Sequence, residues 1–140
     1  MKLRIVAVLI SLWALPAMAG PAENDVAAAA KNWLALVDAK NYAQCYQSAA
    51  DIVRQGVSEA KWEDLVMAGR GKAGALKSRK FQAVQFTKTL PGVPDGDYAN
   101  VAFDSDFETT GPSTEVITLV HEHGKWKVGG YHIANDTDQQ

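Results

Sequence analysis

The side chains able to carry chemistry fall in two places. Glu115 and three histidines, His121, His123 and His132, lie toward the end of the chain, and Arg70, Lys72 and Arg79 lie near its middle beside glycines 69, 71 and 74. A carboxylate beside an imidazole orients the ring and raises its basicity, the minimum for general acid–base work. His123-Gly124 reads as a two-residue hairpin turn. Counted outward without a break, that turn sets His121 opposite Trp126 and Glu115 opposite His132, with Tyr131 on the other face. Glu115 and His132 are therefore the candidate catalytic pair, weighed against a plain charge pair near a strand end. At ~3.3 Å per residue His132 stands about 20 Å from His121, too far for one metal ion. His121 and His123 form only an i, i+2 pair on an exposed turn, so no metal ligand and no cofactor are assigned.

The basic group belongs to a wider segregation of charge. Between Asp64 and Asp95 the chain carries Arg70, Lys72, Lys77, Arg79, Lys80 and Lys88 and no acid; between Lys88 and Lys125 it carries Asp95, Asp97, Asp104, Asp106, Glu108, Glu115 and Glu122 and no base. If these segments are antiparallel neighbours, Lys80 lies near Glu108, and cross-strand pairs worth ~0.2–1 kcal/mol each follow. Arg79 then faces the strand of Asp106 and Glu108, and its replacement by alanine costs no more than about 1 kcal/mol, less in salt. The sharper alternative is an anion site at Arg70, Lys72 and Arg79, where glycines let backbone amides approach a carboxylate or phosphate. Cys45, at helical spacing from Tyr42, Tyr46 and Ala49, reads as a buried small hydrophobe rather than a reactive thiol. No nucleophile motif, P-loop or dinucleotide fingerprint is present.

Two kinds of element must position these groups. Val26, Ala30, Trp33, Leu34 and Val37 recur at three- and four-residue spacing, predicting a first helix capped by Asn24 or Asp25. Tyr42, Cys45, Tyr46 and Ala49 predict a second, running on toward Val53, and Trp62, Leu65 and Val66 a third with Ser58 as its cap. From Ala75 the period changes to two. Strands are expected over Leu76–Leu90 with a bulge, through Val101, Phe103 and Phe107, over Ser113–Glu122 and over Lys125–Ile133, with Pro91–Gly96 as the first turn. The fold class is α+β, with N-terminal helices packed on one face of a curved four-stranded antiparallel sheet. Trp33, Leu34, Trp62, Leu65, Phe103, Leu119, Trp126 and Val128 should share one core.

Ahead of these elements, Lys2 and Arg4, the apolar run Ile5–Leu15 and Ala17-Met18-Ala19 have the order of a secretory signal peptide cleaved after Ala19. About eleven apolar residues at ~1.5 Å each span only half of a ~30 Å bilayer core, which argues against a membrane anchor. The expected layout is a leader over 1–19, one domain over 20–134 and a loose tail over 135–140. With 140 residues, a net charge of −2 and 47% hydrophobic residues, the chain suits one globular domain and lacks the basic surplus of a nucleic-acid binder. One cysteine closes no internal disulfide, so stability must come from an ordinary core. The expected location is periplasmic or secreted, in a bacterium, without stable membrane insertion after cleavage.

The stretch from Trp33 to Ile133 resembles a family of small exported bacterial proteins, the domain of unknown function numbered 4019. The resemblance rests on Trp33-Leu34, Val37-Asp38 and Tyr42; on Arg70, Gly74 and Ser78-Arg79; on Leu90-Pro91-Gly92 and Pro94–Tyr98; and on Gly124–Val128 with Gly130-Tyr131. The chain departs from the family pattern at Thr118–Glu122, where His121 and His123 flank the turn. The resemblance implies a cone-like fold, similar to nuclear-transport-factor or cystatin domains, and export. It supplies no activity and no catalytic residues. The expected function is a non-catalytic envelope domain that binds a small ligand or partner protein. Two other classes stand beside it: a cone-fold hydrolase or isomerase using Glu115 and His132, and an interaction module offering a strand edge.

Overall fold

The computed structural model describes residues 20–135; the expected leader over 1–19, with the cleavage expected after Ala19, and residues 136–140 lie outside the described residues. Four helices precede four strands: α1 (Pro21–Asp38), α2 (Tyr42–Gln47), α3 (Asp51–Gly56), α4 (Glu59–Ala73), β1 (Leu76–Thr87), β2 (Tyr98–Phe107), β3 (Gly111–Glu122) and β4 (Lys125–Asn135). The strands form one antiparallel sheet in the order β1-β2-β3-β4, so the fold is α+β. Asn135 closes β4 rather than opening the tail. No helix among the described residues is long and apolar enough to cross a membrane.

The first helix starts earlier than its apolar stripe suggests. Gly20 is its N-cap and Pro21 its first residue, so Asn24 and Asp25 lie inside it; proline suits that position because its missing N–H would have no partner there. The expected second helix is two. Ser48 Oγ turns back to the Gln44 carbonyl at 2.7 Å, while the Ala50 amide donates to the β4 carbonyl of Val128 at 2.8 Å. A backbone donor engaged by a strand cannot also extend a helix. Ser58 caps α4, its hydroxyl accepting from the Lys61 amide at 3.2 Å.

Core-facing residues follow parity along the central strands. Ala99, Val101, Phe103, Ile117 and Leu119 are buried with Val26, Ala30, Trp33, Leu34 and Val37 of α1 in one cluster, which Trp62, Val66 and Val128 also join. The α1 helix contacts all four strands and α4 contacts β4. Trp33 meets Trp62 edge-on at 6.3 Å and Tyr131 at 5.3 Å, and Trp126 packs against the same cluster. Leu65 is the exception among the expected core residues: it is 54% exposed, because the buried stripe of α4 runs through Trp62, Val66 and Ala73 and leaves Leu65 on its flank. Cys45 is the fully buried residue of α2, and burial pushes its thiol up to about 11.

Two irregularities set what faces inward. β1 shifts register at Leu76/Ser78 and at Phe81/Ala83, which turns Arg79, Phe81 and Val84 toward the same side despite mixed parity. β4 carries a bulge at Gly129: Leu119 pairs with Val128, but Thr118 pairs with Gly130. The extra residue moves every later β4 side chain to the opposite face.

Candidate functional site

The β4 bulge dissolves the expected catalytic pair and builds a different site. Glu115 lies opposite Ile133, and His132 lies opposite Val116 on the other face, exposed. Tyr131, expected on the far side, points to the core face with Glu115 and donates a short hydrogen bond from its hydroxyl to Glu115 Oε2. The turn arithmetic holds from His121–Trp126 to Leu119–Val128 and fails beyond it, by one residue.

Five other elements each send one residue into the polar cluster that Glu115 of β3 anchors. Arg79 of β1 approaches with Nε 2.6 Å from Oε1 and Nη2 3.1 Å from Oε2, a bidentate fork. Ser105 of β2 donates to Oε1 at 2.5 Å, and Tyr131 of β4 completes the shell. The same guanidinium continues outward to Asp38, the last residue of α1, with Nη1 at 2.7 Å from Oδ2 and Nη2 at 3.1 Å from Oδ1. Arg70, in the last turn of α4, adds Nη1 at 2.7 Å from Asp38 Oδ1 and lies over the Phe107 ring at 5.3 Å. An aspartate ending a helix meets the negative end of the macrodipole and is unfavourable there alone; two arginines make it tenable.

Burial rises inward along the chain of charges. Asp38 is 31% exposed, Arg79 14% and Glu115 0%. Burial pushes the Asp38 carboxyl up, but the hydrogen bonds and charges of Arg79 and Arg70 outweigh it and hold the group below the ordinary carboxylate range. Burial pulls the Arg79 guanidinium down, and its bonds to Asp38 and Glu115 more than reverse this. Burial, then the Glu115 charge, push the Tyr131 phenol well above its ordinary value. Two guanidiniums therefore stand against two carboxylates, with a neutral tyrosine and serine as donors.

In this arrangement both oxygens of Glu115 are fully engaged as hydrogen-bond acceptors. A carboxylate has about four lone-pair sites. Arg79 Nε and Ser105 occupy two on Oε1, and Arg79 Nη2 and Tyr131 occupy two on Oε2. Of the basic candidates, the structure brings Arg70 and Arg79 together on Asp38, while Lys72 is exposed and outside the cluster. Arg79 faces neither Asp106 nor Glu108; its register partner is Ser105, and Lys80 pairs with Asp104 rather than Glu108. The expected surface pair is thus a buried one. The alternation of Ser113, Glu115, Ile117 and Leu119 was the available signal for Glu115, and the helix-ending position was the signal for Asp38.

Clefts open at the outer edge of this cluster and away from it. Asp38 and Arg70 reach a cleft of about 670 Å³ that also touches Lys40 and Tyr42. A second cleft, of about 700 Å³, is walled by Phe86, Tyr98, His121 and Trp126 and rimmed by Asp25, Lys88 and Asp97. There Trp126 meets His121 at 5.0 Å and Phe86 at 5.9 Å. Its rim carries one ion pair, Lys88 with Asp97, whose hydrogen bond and charge lower the Asp97 carboxyl. A third grouping, absent from the sequence reading, sets Asp51, Glu122 and His123 side by side.

No curated protein matches the chain. The family model described as Protein of unknown function (DUF4019) matches residues 29–131, from the middle of α1 to Tyr131, and so takes in Asp38, Arg70, Arg79, Ser105, Glu115 and Tyr131. The chain belongs to that family.

Proposed function

We propose that this protein is a small exported bacterial domain, periplasmic or secreted, that binds a small ligand in the aromatic cleft and performs no catalysis. The carrying observation is the contrast between the two polar centres. Glu115 has every lone pair engaged and no exposed surface, whereas the cleft of Phe86, Tyr98, His121 and Trp126 is open. Its volume of about 700 Å³ falls within the ~300–1,000 Å³ of small-molecule sites, and an aromatic wall with a few rim charges is the lining such sites use. The Arg79–Glu115 centre then serves as a tie that fixes α1 and α4 to the sheet, giving the cleft a rigid frame. In this reading the helices roof one face of a curved sheet, as in nuclear-transport-factor-like or cystatin-like domains. The ordered basic, apolar and small-residue zones of the first 19 residues support export.

The test is native mass spectrometry of protein purified from its own compartment, comparing the unaltered chain with Trp126→Ala. A bound mass present in the first and absent from the second, both folded by circular dichroism, is the expected result. A bound mass retained by Trp126→Ala, or one lost instead on His132→Ala, would overturn the assignment of the cleft. N-terminal sequencing of the same material should begin at Gly20; an intact Met1 would overturn export.

A further inference from the structure

We propose that Asp51, Glu122 and His123 form a binding site for a zinc-like divalent transition-metal ion where α3 meets the β3–β4 hairpin. One donor atom from each side chain lies within 4.8 Å of the other two. The donors come from chain positions more than seventy residues apart, and His123 Nε2 already lies 2.8 Å from Asp51 Oδ2. A tetrahedral ion with bonds of ~2.0–2.2 Å sets its ligands about 3.3–3.6 Å apart. The 2.8 Å pair must open by roughly half an ångström, and no pair starts more than 4.8 Å apart. His123, with its side chain 69% exposed on the turn, can supply that movement.

Each carboxylate divides its labour between its two oxygens. Asp51 Oδ1 accepts from Arg54 Nη2 at 2.6 Å, leaving Oδ2 toward the imidazole. Glu122 Oε1 accepts from the Asp51 amide at 2.8 Å and lies 3.8 Å from Lys127 Nζ, while Oε2 has no partner among the described residues. Ligating carboxylates in metal sites are held in this way, one oxygen fixed by outer donors and the other presented. The hydrogen bond from the Asp51 amide also anchors the start of α3 to the hairpin, so the ligands stand together before any ion arrives. Two carboxylates and one imidazole suit zinc and its neighbours; calcium prefers six to eight oxygens, and this site offers no such set. The fourth zinc position is open to water.

Isothermal titration of the leader-free protein with zinc chloride at neutral pH tests the site. One ion per chain is expected, with at least a tenfold loss of affinity in His123→Ala and in Glu122→Gln and no change in His121→Ala or His132→Ala. Calcium chloride over the same range should give no saturable heat. His123 is exposed enough that its alanine variant keeps the fold, which circular dichroism checks. The proposal is overturned by no saturable zinc binding up to ~100 μM, by binding that survives His123→Ala, or by binding lost equally in His132→Ala.

Discussion

Replacing Arg79 with methionine should cost the folded state about 4 kcal/mol, although its place in a charged strand suggests no more than about 1. Arg79 loses contacts on two sides. Toward Glu115, whose side chain has no exposed surface, the guanidinium makes two charged hydrogen bonds at 2.6 and 3.1 Å; removing one partner of a buried pair costs about 3–5 kcal/mol, because the other charge stays behind. Toward Asp38, which keeps 31% exposure and retains Arg70, the loss adds at most about 1 kcal/mol. Urea unfolding followed by tryptophan fluorescence reads the total directly, and a melting midpoint lower by roughly 15 °C should accompany it in a domain of this size. Arg79→Met combined with Glu115→Leu should recover most of the loss, since an apolar pair of similar volume replaces a buried ion pair at little net cost. Raising the salt should leave the Arg79→Met deficit nearly unchanged, as buried pairs are poorly screened. A deficit within 1 kcal/mol that shrinks in salt would refute the buried-pair account. A double variant no more stable than the single one would assign the loss to packing instead of charge.

Asp38→Asn should narrow the acid limb of stability. The folded carboxyl lies below its ordinary value, so its contribution is complete above the unfolded pKa near ~3.9 and is lost as pH falls through the lower folded value. The stability gap between the two proteins, measured by urea titration, should be constant from pH 7 to about 5 and should close below about 4. Tyr131, raised by burial and by the Glu115 charge, should resist deprotonation beyond the ordinary ~10. In spectrophotometric titration Tyr131 should therefore ionise only with unfolding, and Tyr131→Phe should abolish that late step. Gly74→Ala should destabilise by more than about 2 kcal/mol: φ is +84° with ψ −165°, a region open almost only to glycine, and the added methyl would lie 2.5 Å from Thr109 Oγ1 and 3.0 Å from its backbone nitrogen.

Local patterns made the elements legible. Trp33, Leu34 and Val37 repeat at helical spacing and are buried together. Ser58 announces α4, and His123-Gly124 turns with both φ values positive, at +51° and +73°, as a two-residue hairpin requires. Such signals act over a few residues, so the chain carries them in plain order. The exception shows the limit: the break between α2 and α3 depends on the Val128 carbonyl, a partner remote in sequence.

The site was decided at longer range. Sequence alone supplied Glu115, Arg70 and Arg79 as charges worth weighing, but it paired Glu115 with His132, because a hairpin counted without interruption has no means of announcing a bulge. A single extra residue at Gly129 reverses the faces of β4, exchanging an exposed histidine for a half-buried tyrosine. Likewise Asp38 meets Arg79 across 41 residues and His123 meets Asp51 across 72, distances at which residue type carries no information about contact. What a residue can do chemically is written in its side chain; what it meets, and whether water reaches it, follows from register and from the packing of α1, α3 and α4 around one sheet.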